Sequence, residues 1–229
     1  MRLLAIDTSS EACSVGVAAG DRVISRSEII GRGHAEILFG MIENALADAG
    51  LGVGDLDSVA VTIGPGSFTG VRVGVAAARG LALALGQKAV GIGTLAVHAE
   101  EARSLAGSVP VMALLAAGRG EIYGAAYAAD GGEMLAPQAA VPEIFAAWLR
   151  DRPVRGAALT LAGSGADSVL AALGEGKSLP VAHRHAIPDV ASLCRLALAA
   201  PAPSASPRPL YLRAPDAKPQ GAAAIAHRP

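Results

Sequence analysis

The order of the predicted secondary-structure elements up to residue 102 restricts the fold of this chain more than any other feature. Apolar runs with strand periodicity predict three consecutive strands, which are followed by a helix, a strand, a helix, a strand and a helix. The helices are expected at residues 34–49, 69–85 and 94–102, and Gly50 ends the first of them. This order predicts a mixed β-sheet with helices packed on it, which places the chain in the α/β class.

A second and smaller set of elements is predicted after residue 107. Its members are strands at 109–115, 121–128 and 157–162 and helices at 142–150, 166–173 and 189–199. Pro201–Pro209 contains four prolines and predicts an extended linker, after which the patch Leu210–Arg213 is expected to dock. The sequence therefore predicts a first lobe at 1–102, an abbreviated second lobe at 103–200, and a linker with a docking tail at 201–229.

The composition excludes several classes of function. Lys and Arg number 19 against 20 Asp and Glu among 229 residues, so phosphate-driven nucleic-acid binding by the chain alone is not expected. Aromatic residues make up only 3%, which argues against a stacking platform for single strands. Cys13 and Cys194 are far apart, and Arg79 interrupts the apolar stretch 73–85, so we expect a protein of the reduced cytoplasm that spans no membrane.

Two predicted helices of the first lobe are more apolar than a single core-facing stripe requires. Only a few side chains of the helix at 34–49 are polar. In the helix at 69–85, the charged residues Arg72 and Arg79 share one narrow stripe, and apolar residues surround the rest of the helix. Such helices are buried on more than one side. We expect them to form a helix-to-helix subunit interface; the alternative is that the second domain of the same chain covers them.

Two turns are candidates for binding an anion. Asp7–Ser10 could present hydroxyls to a phosphate and a carboxylate to a metal ion, or it could be an ordinary polar turn. Gly64–Gly70 lies at a helix N-terminus, with Ser67 or Thr69 placed to cap the helix. Gly70 and Gly74 admit a different interpretation, because small residues four apart let a second helix approach closely.

Metal ligation and nucleophilic catalysis have weak support in the sequence. The histidines show no pair at metalloprotease spacing: His34, His98, His183, His185 and His227. His183 and His185, followed by Asp189, are the strongest candidates, and we expect a solvated loop there. No serine lies in a Gly-x-Ser-x-Gly motif, so we predict no catalytic residue, no metal ion and no cofactor.

Taken together, several segments resemble the TsaB family over nearly the whole chain. They are Ala5–Ser9, His34, Gly64–Gly74, Gly80–Ala82, Gly120–Tyr123 and Tyr211–Lys218. The string Gly-Pro-Gly-Ser-Phe-Thr-Gly-x-Arg at 64–72 is specific within its superfamily. The resemblance implies an actin/Hsp70/sugar-kinase-like (ASKHA) fold with two lobes, each a mixed sheet with packed helices.

The resemblance also implies a role in making N6-threonylcarbamoyladenosine beside the anticodon of tRNA, as a partner without catalytic activity of its own. It implies direct binding to the catalytic paralogue TsaD, with the ATPase TsaE in the complex, TsaC supplying the activated intermediate and tRNA contacted only indirectly. The family's contact with TsaD uses the two first-lobe helices, which also make a homodimer plausible in isolation. The expected interface residues are Leu38, Ile42, Gly70, Arg72, Gly74, Ala77 and Arg79. Gly74→Leu is then expected to abolish this contact while sparing the fold.

Comparison with the paralogue implies that this chain holds no metal ion. TsaD uses a His-x-x-x-His pair, whereas the matching positions here are Thr94 and His98, and a lone histidine cannot hold a divalent ion. Two enzymes remain as alternatives. One is a small ATP-dependent phosphotransferase that uses Asp7, Thr8, Ser9 and Ser10; the other is a metallopeptidase.

Overall fold

The computed structural model describes residues 1–151, 159–174 and 178–213, which form two five-stranded sheets. The first has the order β3-β2-β1-β4-β5 and the second β10-β9-β6-β7-β8. The strands of the first are β1 (Arg2–Asp7), β2 (Ala12–Ala19), β3 (Arg22–Ile29), β4 (Ser58–Thr62) and β5 (Val90–Ile92). Those of the second are β6 (Val111–Gly118), β7 (Glu121–Tyr127), β8 (Glu133–Ala140), β9 (Thr160–Ala162) and β10 (Val181–His183).

The two sheets repeat one topology. In each, the first strand lies centrally, antiparallel to the second and parallel to the fourth, and the fifth strand lies parallel at the far edge. The helices are α1 (His34–Ala49), α2 (Phe68–Ala84), α3 (Thr94–Ala106), α4 (Pro142–Arg150), α5 (Ala166–Leu173) and α6 (Val190–Ala199). This duplicated arrangement confirms the ASKHA-like α/β fold.

Successive side chains along the central strands point to opposite faces of each sheet, which divides the core into layers. Leu4 and Ile6 of β1 face α1 and α2, whereas Leu3 and Ala5 face α6. In the second sheet, one face of β6 packs with α4 and α5 and the other with α3. The last helix of each set therefore packs on the sheet of the other set, and α3 and α6 contact each other between the two sheets.

The predicted elements agree closely with the structure in the first lobe and less closely in the second. Two strands were not predicted, β8 and β10. Pro137 lowers the strand signal of β8, and an edge strand tolerates it. The second lobe is abbreviated in its helices, which have 9, 8 and 10 residues against 16, 17 and 13 in the first. The strand predicted at 157–162 lies partly outside the described residues.

The division into lobes stays a prediction. Its first boundary, between residues 102 and 103, falls inside α3, and most of the tail at 201–229 lies outside the described residues. Within the described part of the chain, no helix combines the length and apolarity that crossing a bilayer requires.

The patch after the proline-rich stretch docks on this same chain. The Leu210 N–H donates to the Ile63 carbonyl over 2.7 Å, at the end of β4. The guanidinium of Arg72 lies 3.6 Å from the centre of the Phe68 ring and donates to the Tyr211 hydroxyl over 2.7 Å. Arg213 pairs with Glu121 and donates to backbone carbonyls of the β6–β7 hairpin, so the patch reaches both lobes.

Candidate functional site

The turn after β1 and the turn before α2 lie against each other. The Ser67 N–H donates to the Ser9 carbonyl over 2.7 Å, and the Thr8 hydroxyl donates to the Gly70 carbonyl over 2.8 Å. Ser67 caps α2 by accepting from the Gly70 N–H, as its position in the sequence predicts. The structure therefore brings the two candidate anion sites together as one junction.

Glycines make this close approach of two backbones possible. A Cβ added at Gly70 would lie 2.0 Å from the Thr8 carbonyl oxygen, and one at Gly66 would lie 2.1 Å from that of Ser9. A Cβ at Gly74 would lie 2.4 Å from the Thr8 hydroxyl oxygen. Gly70 and Gly74 thus accommodate the turn after β1 of the same chain, and not a helix from a partner.

The hydroxyls of the Asp7–Ser10 turn are engaged inside the chain. Ser9 donates its N–H and its hydroxyl to one oxygen of Asp7, and Thr62 donates its hydroxyl to the same oxygen. The Ser10 hydroxyl accepts from the Ala12 N–H. Asp7 is fully buried, and its second carboxylate oxygen has no hydrogen-bond partner. This arrangement is that of a structural turn.

The buried carboxyl of Asp7 makes stability depend on pH. Burial raises the pKa of Asp7 above its ordinary value of 3.8, against hydrogen bonds from Ser9 and Thr62 that lower it. When the folded pKa is the higher one, the group's contribution to stability is complete below the unfolded pKa and is lost as pH rises through the folded pKa. Relative to wild type, Asp7→Asn should therefore become more stable as pH rises from about 4. Urea unfolding of both proteins across pH would measure this, and a difference that is constant with pH would contradict it.

The second candidate site is a stripe on the outer side of α1 and α2, here called the exposed helix face, in which small and apolar residues surround one charged residue on each helix. Its members are Phe39, Gly40, Glu43 and Ala47 on α1 and Ala76, Arg79, Gly80 and Leu83 on α2. Three- and four-residue spacings place each set on one side of its helix. Phe39 is 53% exposed and Leu83 78% exposed, and the space around Gly40 and Gly80 is open.

The exposed helix face lies away from the second lobe. The inner sides of α1 and α2 pack on the first sheet, and the opposite side of that sheet carries α6. The alternative that the second domain covers these helices therefore finds no support among the described residues. Apolar side chains of both helices, Phe39 and Leu83 among them, are therefore exposed on this face.

The seven predicted interface residues differ in how much surface they offer: four are buried, one is half-buried and two are exposed. Leu38 and Ile42 lie in the core of the first lobe, with 0% and 1% exposure, and Gly70 and Gly74 are buried at the junction, so none of these four offers a surface. Ala77 is half-buried, and Arg72 is exposed but engaged by Phe68 and Tyr211. Of the seven, Arg79 lies fully on the exposed helix face. Helical periodicity reveals that α1 and α2 are too apolar, but it does not reveal which side the sheet covers.

The amino-acid sequence of this chain is similar to those of known tRNA-modification proteins. Residues 22–154 match the family model described as "TsaD: tRNA N6-adenosine threonylcarbamoyltransferase". The protein "tRNA threonylcarbamoyladenosine biosynthesis protein TsaB" of Escherichia coli (strain K12) is 39% identical over 130 residues, which are 57% of this chain and 56% of that protein. A "tRNA N6-adenosine threonylcarbamoyltransferase" of Jannaschia sp. (strain CCS1) is 47% identical over 92 residues, 40% of this chain and 26% of that protein.

A solved structure extends the likeness to the whole fold. It is titled "Crystal structure of an uncharacterized protein with similarity to peptidase YEAZ from Pseudomonas aeruginosa" and superimposes with a TM-score of 0.76 at 32% identity. The match covers 93% of this chain and 99% of that one. The chain belongs to the TsaB family. It spans about half the length of the curated relatives that it matches.

In this TsaB-family chain, other side chains that could bind a metal ion lie beside His98, so the prediction that it is a lone histidine is wrong. His98 and Glu101 of α3 lie beside His183 of β10 and His185, which follows that strand. His183 is buried, and so the expectation of a solvated loop is also wrong there. Because His98 and His183 are 85 positions apart in the sequence, spacing motifs could not connect them. Asp189 is not part of it, since its carboxylate caps α6.

The two cysteines of this TsaB-family chain are buried and free. Burial raises the pKa of the Cys13 thiol to about 11 and that of Cys194 to about 12. A thiol needs to ionise to act as a nucleophile, so neither is suited to catalysis at neutral pH.

Proposed function

We propose that this chain is a non-catalytic partner subunit in the cytoplasmic synthesis of threonylcarbamoyladenosine in tRNA. In this proposal it binds a TsaD homologue directly, TsaD carries out the transfer to N6 of the adenosine beside the anticodon, and TsaE joins the complex. Contact with tRNA is indirect, in line with a net charge of −1. The names of its relatives support the process, and the exposed helix face supports the role of a partner.

The exposed helix face is the observation that carries this proposal. Phe39 and Leu83 project from neighbouring helices, and Gly40 and Gly80 leave room for a facing helix to approach. Glu43 and Arg79 supply charges of both signs beside this apolar stripe. A surface with a large apolar anchor, small neighbours and charged margins is typical of a protein interface. Without the partner, two copies are expected to pair through the same surface.

Three observations support a subunit that does not itself catalyse. The hydroxyls of Thr8 and Ser9 are engaged within the chain, and Asp7 is buried beneath them, so the junction offers a phosphate or Mg²⁺ few free ligands. The described thiols have raised pKa values. The engaged hydroxyls and the buried Asp7 weigh against the phosphotransferase alternative, and the raised thiol pKa values weigh against a cysteine nucleophile.

Reconstitution tests the proposed function. TsaD and TsaE from the same organism are mixed with tRNA, ATP and a source of threonylcarbamoyl-adenylate, with and without this protein. Modified adenosine is then measured by mass spectrometry of nucleosides. We expect formation to fall by at least about tenfold, or about 1.4 kcal/mol, when this chain is left out. Equal formation with and without it would contradict the proposal.

A further inference from the structure

A cluster of three imidazoles and one carboxylate lies where α3 meets the end of β10. One ring nitrogen each of His98, His183 and His185 and one carboxylate oxygen of Glu101 all lie within 4.8 Å of one another. The His98 ring centre is 5.3 Å from that of His183 and 5.8 Å from that of His185. No other group of this kind occurs in the part of the chain that the structure describes.

Several polar atoms of the cluster are buried without hydrogen-bond partners. They are both ring nitrogens of His98, Nδ1 of His183 and Oε2 of Glu101. A buried polar atom without a partner is costly, and so each one calls for an explanation such as a bound ion. His98 is fully buried. The two ring nitrogens of His98 point away from each other, so only one of them can face a given ion. Unsatisfied atoms on three neighbouring side chains still point to a ligand that these side chains share.

The four side chains form a donor set that suits a cation. Three imidazoles and one carboxylate lie close together, and a neutral imidazole offers one nitrogen lone pair to a metal ion. The carboxylate of Glu101 supplies the negative charge that favours a cation between these side chains.

The fourth ligand is oriented by a backbone carbonyl. Nδ1 of His185 lies 2.8 Å from the Ile187 carbonyl and so carries the proton that it donates there, while Nε2 lies 2.9 Å from Oε1 of Glu101. Metal-binding histidines commonly donate their other N–H in this way, which fixes the ring and its tautomer. The side chain of His185 is 43% exposed and that of Glu101 is 17% exposed, so solvent reaches the cluster from one side.

We propose that His98, Glu101, His183 and His185 bind one divalent transition-metal ion, of which Zn²⁺ fits the donor set best. Three imidazole nitrogens and one carboxylate oxygen are ligands that tetrahedral Zn²⁺ accepts. With bonds of about 2.1 Å, a tetrahedral ion holds its ligand atoms about 3.4 Å from one another. The four candidate atoms lie within 4.8 Å of one another, so on binding the distance between any two of them would shorten by about 1.4 Å at most.

This site is structural and not catalytic, because four protein ligands leave no position for a reacting water molecule. The ion ties α3, which packs on the second sheet, to the edge strand β10 and to the segment that leads into α6. The ion would thereby stabilise the packing of α3 and α6 between the two sheets. Bound zinc would accordingly not support the metallopeptidase alternative, but it would contradict the expectation that this chain holds no metal ion.

Metal titration of the full chain without an affinity tag tests this site. The protein is stripped with a chelator, incubated with Zn²⁺, desalted and analysed for metal by mass spectrometry, and Co²⁺ is used as a coloured substitute. We expect one equivalent of Zn²⁺, visible Co²⁺ absorption of tetrahedral intensity, and a Tm that rises by about 5 °C or more at a hundredfold excess over Kd.

Variants on the solvent side of the cluster separate ligation from folding. His185→Ala and Glu101→Gln should each fold, as judged by circular dichroism, and lose at least about tenfold in Zn²⁺ affinity. Arg184→Ala is the matched control, because Arg184 lies between two ligands but pairs with Asp167, and it should bind normally. Absence of stoichiometric uptake in wild type, or full uptake in both ligand variants, would overturn the proposal. The reconstitution experiment is scored separately and does not depend on this result.

Discussion

Gly70→Ala is expected to lower the free energy of unfolding by about 3 kcal/mol or more, although alanine is the better helix former. The new methyl group would lie 2.0 Å from the Thr8 carbonyl oxygen, and that atom belongs to the backbone of the β1–β2 turn. Relief requires α2 to move away from the sheet, which breaks the hydrogen bond from the Thr8 hydroxyl to the Gly70 carbonyl. The gain of about 1 kcal/mol in helix propensity is too small to offset this loss. Chemical unfolding at pH 7 measures the effect.

Gly80→Ala is the matched control for this variant. Gly80 lies in the same helix, but the space around it is open, so the methyl group meets nothing within 4 Å. We expect no loss of stability and a gain of up to about 1 kcal/mol from helix propensity. If Gly70→Ala and Gly80→Ala had equal stability, the described contact between α2 and the β1–β2 turn would be wrong.

The same packing corrects the expectation that Gly74→Leu would spare the fold. Gly74 faces Thr8, Val61 and Ile6 in the interior of the first lobe. A leucine at this position would overfill the core and would lower stability before it reached any partner. Loss of a complex in this variant would therefore say nothing about the interface.

Ala76→Arg is expected to weaken binding of the TsaD homologue by about 100-fold or more, which corresponds to about 2.7 kcal/mol. Ala76 is exposed on α2 within the exposed helix face, so the fold accepts a longer side chain there. At an interface built from small residues, arginine would hold the partner helix away and would leave a charge without a partner. Titration calorimetry with the purified proteins measures the change in Kd.

Ala147→Arg is the control for this experiment. Ala147 is exposed on α4, which packs on the second sheet on the far side of the molecule. The same substitution there should leave the affinity unchanged, and both variants should unfold with wild-type midpoints. If TsaD binds Ala76→Arg as tightly as it binds wild type, the exposed helix face is not the contact surface.

Local patterns in the sequence predicted the first lobe well because its signals lie within each element. Gly50 ends α1 in a left-handed conformation, and Ser67 caps α2, so both ends could be predicted from short segments. The strand β8 was not predicted, because Pro137 and the polar residues Glu133 and Gln138 hide an edge strand whose pairing comes from β7.

The candidate sites were harder to predict because they depend on contacts between distant segments. The burial of Leu38 and Ile42 depends on which side of α1 meets β2, and periodicity alone leaves that choice open. His98 and His183 come together only because α3 crosses to the second sheet. The short spacing of His183 and His185 marked two members of the cluster, but no local motif connects them with His98 and Glu101 on α3.

The exchange of α3 and α6 between the sheets means that neither half of the chain completes its own core. A fragment that stops before α6 would leave Leu3, Ala5 and Ala60 of the first sheet uncovered. The missing cover could then come only from another molecule, which is the geometry of a domain-swapped pair. Truncated forms of this chain are therefore expected to aggregate or to swap helices, and the two halves to persist only as one cooperative unit.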